Sequence, residues 1–131
     1  DLNGKWVGAG SCYLSHSRQS RGACDYQVTI ESSKDQLTLL RCVVWHQEWG
    51  DGRDCTRRKF EIYFGNELWK VTSEGSEMQG YIEEREIRLD HPIPGGFEKD
   101  TYSLDGERLH YDGIMETSGM QWLHRVELSK K

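Results

Sequence analysis

The chain predicts an all-β fold, an antiparallel up-and-down meander closing into a β-barrel of about 8–10 strands. Three observations carry this. Apolar and polar residues alternate through most of the sequence, and short turn signals separate the alternating runs. No stretch shows the longer apolar period of an amphipathic helix. The third observation is the opening stretch, L-N-G-K-W-V-G-A-G-S-C-Y-L, in which Trp6, Gly8, Gly10, Cys12 and Leu14 share one face. A large aromatic followed by two glycines suits a strand that bends and is approached closely by another backbone.

The strands follow in order. After a polar loop over residues 15–23, Tyr26, Val28 and Ile30 alternate with Gln27, Thr29 and Glu31. Residues 33–36 turn the chain into a run over 37–45, apolar on both faces and therefore expected to be central or covered. Residues 46–54, with Gly50 and Gly52, read as a loop. Phe60, Ile62 and Phe64 then point inward, Gly65-Asn66 turns, and Trp69 and Val71 return inward. A turn over 74–77 leads to an inward row of Met78, Gly80 and Ile82, and a short strand follows around Ile87 and Leu89. His91-Pro92-Ile93-Pro94-Gly95-Gly96 reads as a rigid loop, because proline donates nothing to a ladder. Asp105-Gly106 joins a hairpin, and Ser118-Gly119 turns into a last strand over 121–128 that meets the first near Trp6.

Composition bounds the function. A chain of 131 residues makes a single barrel domain, 1–131, that buries roughly two-thirds of its unfolded surface. The net charge of −5 argues against nucleic acid as a partner, which demands a basic stripe. Basic residues cluster at Arg53, Arg57, Arg58 and Lys59 and acidic ones at Glu83, Glu84 and Glu86, and both runs read as solvated strand faces. No apolar run approaches the roughly 20 residues of a membrane-spanning helix, and Asp1 reads as the start of a processed or trimmed chain.

The four cysteines, Cys12, Cys24, Cys42 and Cys55, show no zinc-ligand spacing. An even number across hairpins favours two disulfides and an oxidising compartment, hence a secreted or periplasmic protein. Three pairings exist; Cys12–Cys24 with Cys42–Cys55 is preferred, since each closes one strand–loop–strand unit. Four free thiols in a cytosolic protein are the competing reading.

Gly4-x-Trp6, the all-β meander, the length and Arg125 on the final strand together resemble the calycin superfamily, which takes in lipocalins, fatty-acid-binding proteins and avidins. The resemblance implies a lipocalin-like barrel in which Trp6 closes the floor and Arg125 packs across it. Leu2-Asn3-Gly4-Lys5-Trp6 and Gly10-Ser11 look most like the start of an avidin, whose later tryptophan motifs find no match here. The helix-turn-helix of fatty-acid-binding proteins and the late helix of lipocalins are also missing.

Such a barrel is expected to bind a small, partly apolar molecule, with no cofactor and no metal. The ligand-lining candidates are Trp69, Tyr111, Tyr26, Phe60 and Met115, with Trp49 on the 46–54 loop closing the mouth. His16, His46, His91, His110 and His124 are scattered and read as surface or loop residues. No nucleophile–base signature is visible, so no catalytic residue is assigned. The rival reading is a secreted interaction module, such as an enzyme inhibitor, with a filled barrel and a protein partner at loop 46–54. A barrel enzyme ranks third.

Overall fold

Alternation builds ten strands: β1 (Gly4–Leu14), β2 (Ser20–Ser32), β3 (Gln36–His46), β4 (Gly52–Ile62), β5 (Leu68–Ser73), β6 (Ser76–Glu83), β7 (Glu86–Ile93), β8 (Gly96–Asp105), β9 (Arg108–Thr117) and β10 (Met120–Lys130). The structure is a computed structural model that describes residues 2–14, 20–33, 35–46, 52–62, 68–73 and 76–131. At residues 11–14, 20–22, 62, 68, 73, 76 and 77 it describes the backbone alone. Each strand pairs antiparallel with the next, and β10 pairs with β1 to close the barrel. No edge strand is left open among the described residues. All described elements are strands, so no helix among them is long and apolar enough to cross a membrane.

Closure depends on the opening stretch. Trp6 pairs with Lys130 and Ser11 with Arg125, and between these points Gly8 and Gly10 lie against β10. A Cβ at Gly8 would stand 2.5 Å from the Glu127 carbonyl oxygen, and one at Gly10 would stand 2.9 Å from that of Arg125. Any side chain there would force the seam apart. Trp6 is 2% exposed, and its indole donates to the Leu2 carbonyl at 2.9 Å. Trp6 thus plugs the lower end, where β1 begins and β10 finishes. Val28, Ile30, Leu39, Phe60, Val71, Ile87, Leu89, Leu109 and Leu128 fill the space above it. Gly80 makes room for this packing, because its missing Cβ would meet Val71 at 2.6 Å and Phe60 at 2.8 Å.

One turn agrees with its chemistry and others shift. Ser118 (φ 53°) and Gly119 (φ 79°) are both left-handed, as a type I′ hairpin requires. The Asp105-Gly106 signal moves by one residue: Asp105 pairs with Arg108, and Gly106 (φ 63°) with Glu107 forms the loop. The expected rigid loop over 91–96 is mostly strand, since His91, Pro92 and Ile93 pair with Glu98, Phe97 and Gly96. Proline is tolerated because the ladder from β7 to β6 stops at Leu89, so its missing N–H breaks no bond there. Only Pro94-Gly95 turns, with Gly95 at φ 78°. The loops expected over 15–23 and 46–54 are likewise shortened by β2, β3 and β4; residues 15–19 and 47–51 lie outside the described residues.

Two expectations about faces are corrected. Arg125 is 90% exposed and pairs with Asp112 on the outer wall, because Val126 and Leu128 take the inward positions. The cation over Trp6 is Lys130, 5.4 Å from the ring centre. Strand 37–45 is not covered on both sides: Leu40 and Val44 are half-exposed outside, while Arg41 points inward.

Cys42 and Cys55 form a disulfide between directly opposed residues of β3 and β4, with Cα atoms 4.1 Å apart. Cys24 is also disulfide-bonded. The preferred partner, Cys12, lies outside the described side chains; in the backbone it pairs with Gly22, two residues from Cys24 on the adjacent strand.

Candidate functional site

Halfway up the barrel the interior changes character. Strict alternation on β3 puts Arg41 on the same inward face as Leu37, Leu39 and Val43. The same rule puts Arg58 beneath the β4 surface and Asp100 on the inner face of β8; they are 5% and 3% exposed. Arg58 therefore leaves the basic cluster that the sequence presents as a solvated face.

These groups satisfy one another. Arg41 Nη1 donates to Asp100 Oδ1 at 3.0 Å, to the Tyr102 hydroxyl at 3.3 Å and to the Tyr111 hydroxyl, while Nη2 reaches Thr56 at 3.4 Å. Tyr111 donates to the same Asp100 oxygen at 2.8 Å. Gly113, directly opposite Asp100 in register, permits this arrangement: a Cβ there would lie 2.2 Å from the Tyr111 hydroxyl oxygen. Tyr102 and Tyr111 stack with ring centres 4.6 Å apart, and Tyr26 meets Tyr111 edge-on at 6.1 Å. Tyr26 and His124 Nδ1 share a hydrogen bond at 2.9 Å.

Arg58 faces the upper side of this layer. It pairs with Glu98, stands 3.5 Å from Asp100 Oδ2, and touches the Met78 sulfur at 3.8 Å. Asp100 Oδ2 is buried without a hydrogen bond from a fixed donor. The neighbouring Glu98 explains it. Burial, then hydrogen bonding to Asp100, pushes the Glu98 carboxyl up to about 7, so in its acid form Glu98 supplies the missing donor. Burial alone would raise Asp100, but Arg41 and the bonds from Glu98 and Tyr111 hold it below its usual range. Burial also moves Tyr26 and Tyr102 up to about 12 and His124 down to about 4, the latter aided by Arg41. His124 is thus an interior, neutral imidazole and not the surface histidine expected.

Above the layer, the inward positions are no longer sealed. Trp45, Met78, Glu98, Met115 and Trp122 all occupy inward positions yet are only half-buried. Trp122, Met115, Glu98 and His91 stand in one cross-strand row. This is the end at which β3 and β4 are joined.

The sequence-expected lining residues distribute unevenly. Tyr111 and Tyr26 sit together in the charged layer, Met115 stands above it, and Phe60 lies in the sealed core below. Trp69 is the second residue of β5, half-buried against the lower end of the core, away from Met115. Trp49 lies outside the described residues. Arg41, Arg58, Glu98 and Asp100 were missed, though Arg41 interrupting L-T-L-L-R-C-V-V-W was a visible signal. No family model matches this chain, and no curated protein does. Among the described residues no trio of His, Cys, Asp or Glu is placed to hold a metal.

Proposed function

We propose that this protein is a calycin-like barrel that binds one small, partly apolar molecule in its upper half. The observation supporting this is the contrast in exposure along one inward face. Trp6, Phe60, Leu109 and Leu128 are sealed at 2% exposure or less, whereas Trp45, Met115 and Trp122 further up remain half-accessible. A pocket with aromatic and thioether walls and a few fixed polar groups at its base has the usual chemistry of a small-molecule site. The Cys42–Cys55 disulfide supports an oxidising, secreted or periplasmic setting.

Intrinsic tryptophan fluorescence, titrated with apolar and heterocyclic compounds, tests the reading. A Trp122→Leu variant should lose affinity for any compound that binds, and Trp69→Leu should not. Equal loss in both, or no binding by protein that also carries no copurifying molecule in native mass spectrometry, would reject it. The rival reading, a protein-interaction module, is favoured by one observation. A groove of about 420 Å³ runs along the outer wall of β1–β4, lined by Val7, Gln27, Cys42, Val44 and Arg53. Failure of all ligand binding would turn attention to that wall.

A further inference from the structure

The charged layer constrains the ligand, provided the upper barrel is a binding site as proposed above. Of the two interior guanidinium groups among the described residues, Arg41 is consumed by Asp100, Tyr102, Tyr111 and Thr56. Arg58 is held differently. Its close partner is Glu98, whose side chain is 19% exposed toward the half-open rows, while the Arg58 side chain is 6% exposed. Its second acidic neighbour, Asp100 Oδ2, stands at 3.5 Å and is already committed to Arg41 through its other oxygen. Glu98 is thus the most exposed of the layer's four charged side chains and the partner of Arg58 that a ligand can replace without opening the core.

Charge balance then chooses the ligand's sign. With Glu98 ionised, two guanidinium groups face two carboxylates and the layer is neutral. An anion that enters at Arg58 keeps the layer neutral if Glu98 takes a proton as it is displaced. A cation would leave a net positive charge in a site of low polarity, whichever state Glu98 adopts, and unpaired buried charge is costly. We propose that the ligand carries a single anionic head group, such as a carboxylate, that replaces Glu98 on Arg58 while Glu98 takes up one proton from solvent. The apolar body then lies among Met78, Met115 and Trp122, and the Glu98 acid donates to Asp100 Oδ2, the buried oxygen that lacks a donor while Glu98 is ionised.

The groups facing Glu98 support this assignment. They are Arg58 from β4, Arg41 from β3, Asp100 from β8 itself, and His91 directly opposite on β7, while Met115 opposite on β9 is uncharged. His124 on β10 lies across the layer and stays neutral near pH 7. Burial and Asp100 already make the Glu98 acid accessible near pH 7, so proton uptake there carries little cost.

The test uses phenylbutyrate, phenylbutyramide and phenylbutylamine, followed by tryptophan fluorescence from pH 6 to pH 9. Phenylbutyrate should bind roughly tenfold or more tightly than either analogue near neutrality. Its affinity should fall about tenfold per pH unit above 7, the signature of one proton taken up with the ligand. Glu98→Gln cannot take up that proton and offers no competing carboxylate. It should therefore bind phenylbutyrate at pH 9 as tightly as the parent does at low pH, with the slope abolished. Arg58→Lys, which keeps the charge but not the fork, should retain the carboxylate preference at reduced affinity. Binding with no preference for the acid, or a slope that survives in Glu98→Gln, overturns this proposal and leaves the binding function standing. Failure of all three compounds in both proteins overturns the binding reading as well.

Discussion

The lower core and the charged layer are built from inward positions of one barrel wall, and both are almost fully buried. Their energetics differ. Below, burial of Trp6, Phe60 and the aliphatic side chains is favourable in itself. In the layer, Arg41, Arg58 and Asp100 lose their hydration, and mutual contacts must offset that loss. Hydrophobic residues of similar volume would fill the layer at equal or better stability. Stability therefore accounts for the lower half and does not account for the middle, which is where a functional role is to be sought.

Substitutions in the two regions sharpen the contrast most strongly. Trp6→Ala should cost about 3–5 kcal/mol through lost burial and an unfilled cavity. Arg41→Met should cost a similar amount, about 3–5 kcal/mol, for the opposite reason: Asp100 keeps its charge and loses its main partner. The second partner tells them apart. Adding Asp100→Asn to Arg41→Met should recover part of the loss, whereas no second substitution near Trp6 should do so. Urea unfolding midpoints for the cycle decide it, and strictly additive losses at Arg41 and Asp100 would show that the layer is not a coupled unit.

A smaller effect is expected at Gly113. Its absent Cβ is where the Tyr111 hydroxyl sits, with Asp100 Oδ1 also within 2.9 Å. Gly113→Ala should cost about 1–3 kcal/mol by overpacking, and Gly113→Ala combined with Tyr111→Phe should cost less than the single substitution. A Gly113→Ala protein as stable as its parent would mean that the tyrosine has room to move.

The pH dependence of stability separates the two regions without changing shape. Glu98 is raised from 4.5 to about 7, so its contribution is complete below about pH 4.5 and is lost as pH rises through 7. His124 is lowered from 6.5 to about 4, so its contribution is present above 6.5 and is lost as pH falls toward 4. The two slopes oppose each other between pH 4.5 and 6.5, and the parent should change little over that range. Glu98→Gln should unmask the histidine, giving stability that rises with pH over the same interval. Unfolding midpoints measured at three pH values suffice, and a flat Glu98→Gln profile would contradict the burial of His124 as a neutral imidazole.

Legibility followed the alternation rule. Period-2 patterning disclosed the meander, its closure near Trp6 and most of the lower core, because apolar residues advertise their own burial. The charged layer obeys the same rule but hides from it. Arg41 and Arg58 are polar residues at inward positions, and a reading that assigns polar residues to solvent places them outside. Their partners are distant in sequence, Arg41 with Asp100 and Arg58 with Glu98, so neither pair has a local signature. Pro92 was misjudged for a related reason: whether a proline is tolerated depends on where the neighbouring ladder stops, which is a property of the sheet.

The smallest expected effect concerns the seam at Trp6 and distinguishes two cations of β10. The resemblance to calycins assigns the residue that packs across Trp6 to Arg125, and the structure assigns it to Lys130. Lys130 Nζ lies 5.4 Å from the indole centre, and a Cβ at Gly4 would touch the Lys130 stem at 2.7 Å, so its charge faces the plug while its methylenes lie against Gly4. Arg125 instead reaches Asp112 on the outer wall at 2.8 Å, with 90% of its side chain exposed. An exposed cation–π contact is worth about 0.5–1 kcal/mol, and an exposed ion pair of this kind contributes little that survives in salt. Lys130→Ala should therefore destabilise by about 0.5–1 kcal/mol and Arg125→Ala by less than about 0.5 kcal/mol. Lys130→Arg, which retains a cation and a long stem, should stay near the parent. In high salt the Arg125→Ala difference should vanish while much of the Lys130→Ala difference persists, because stem packing is not screened. The reverse order of losses would return the barrel floor to Arg125 and weaken the assignment of Lys130 to the seam.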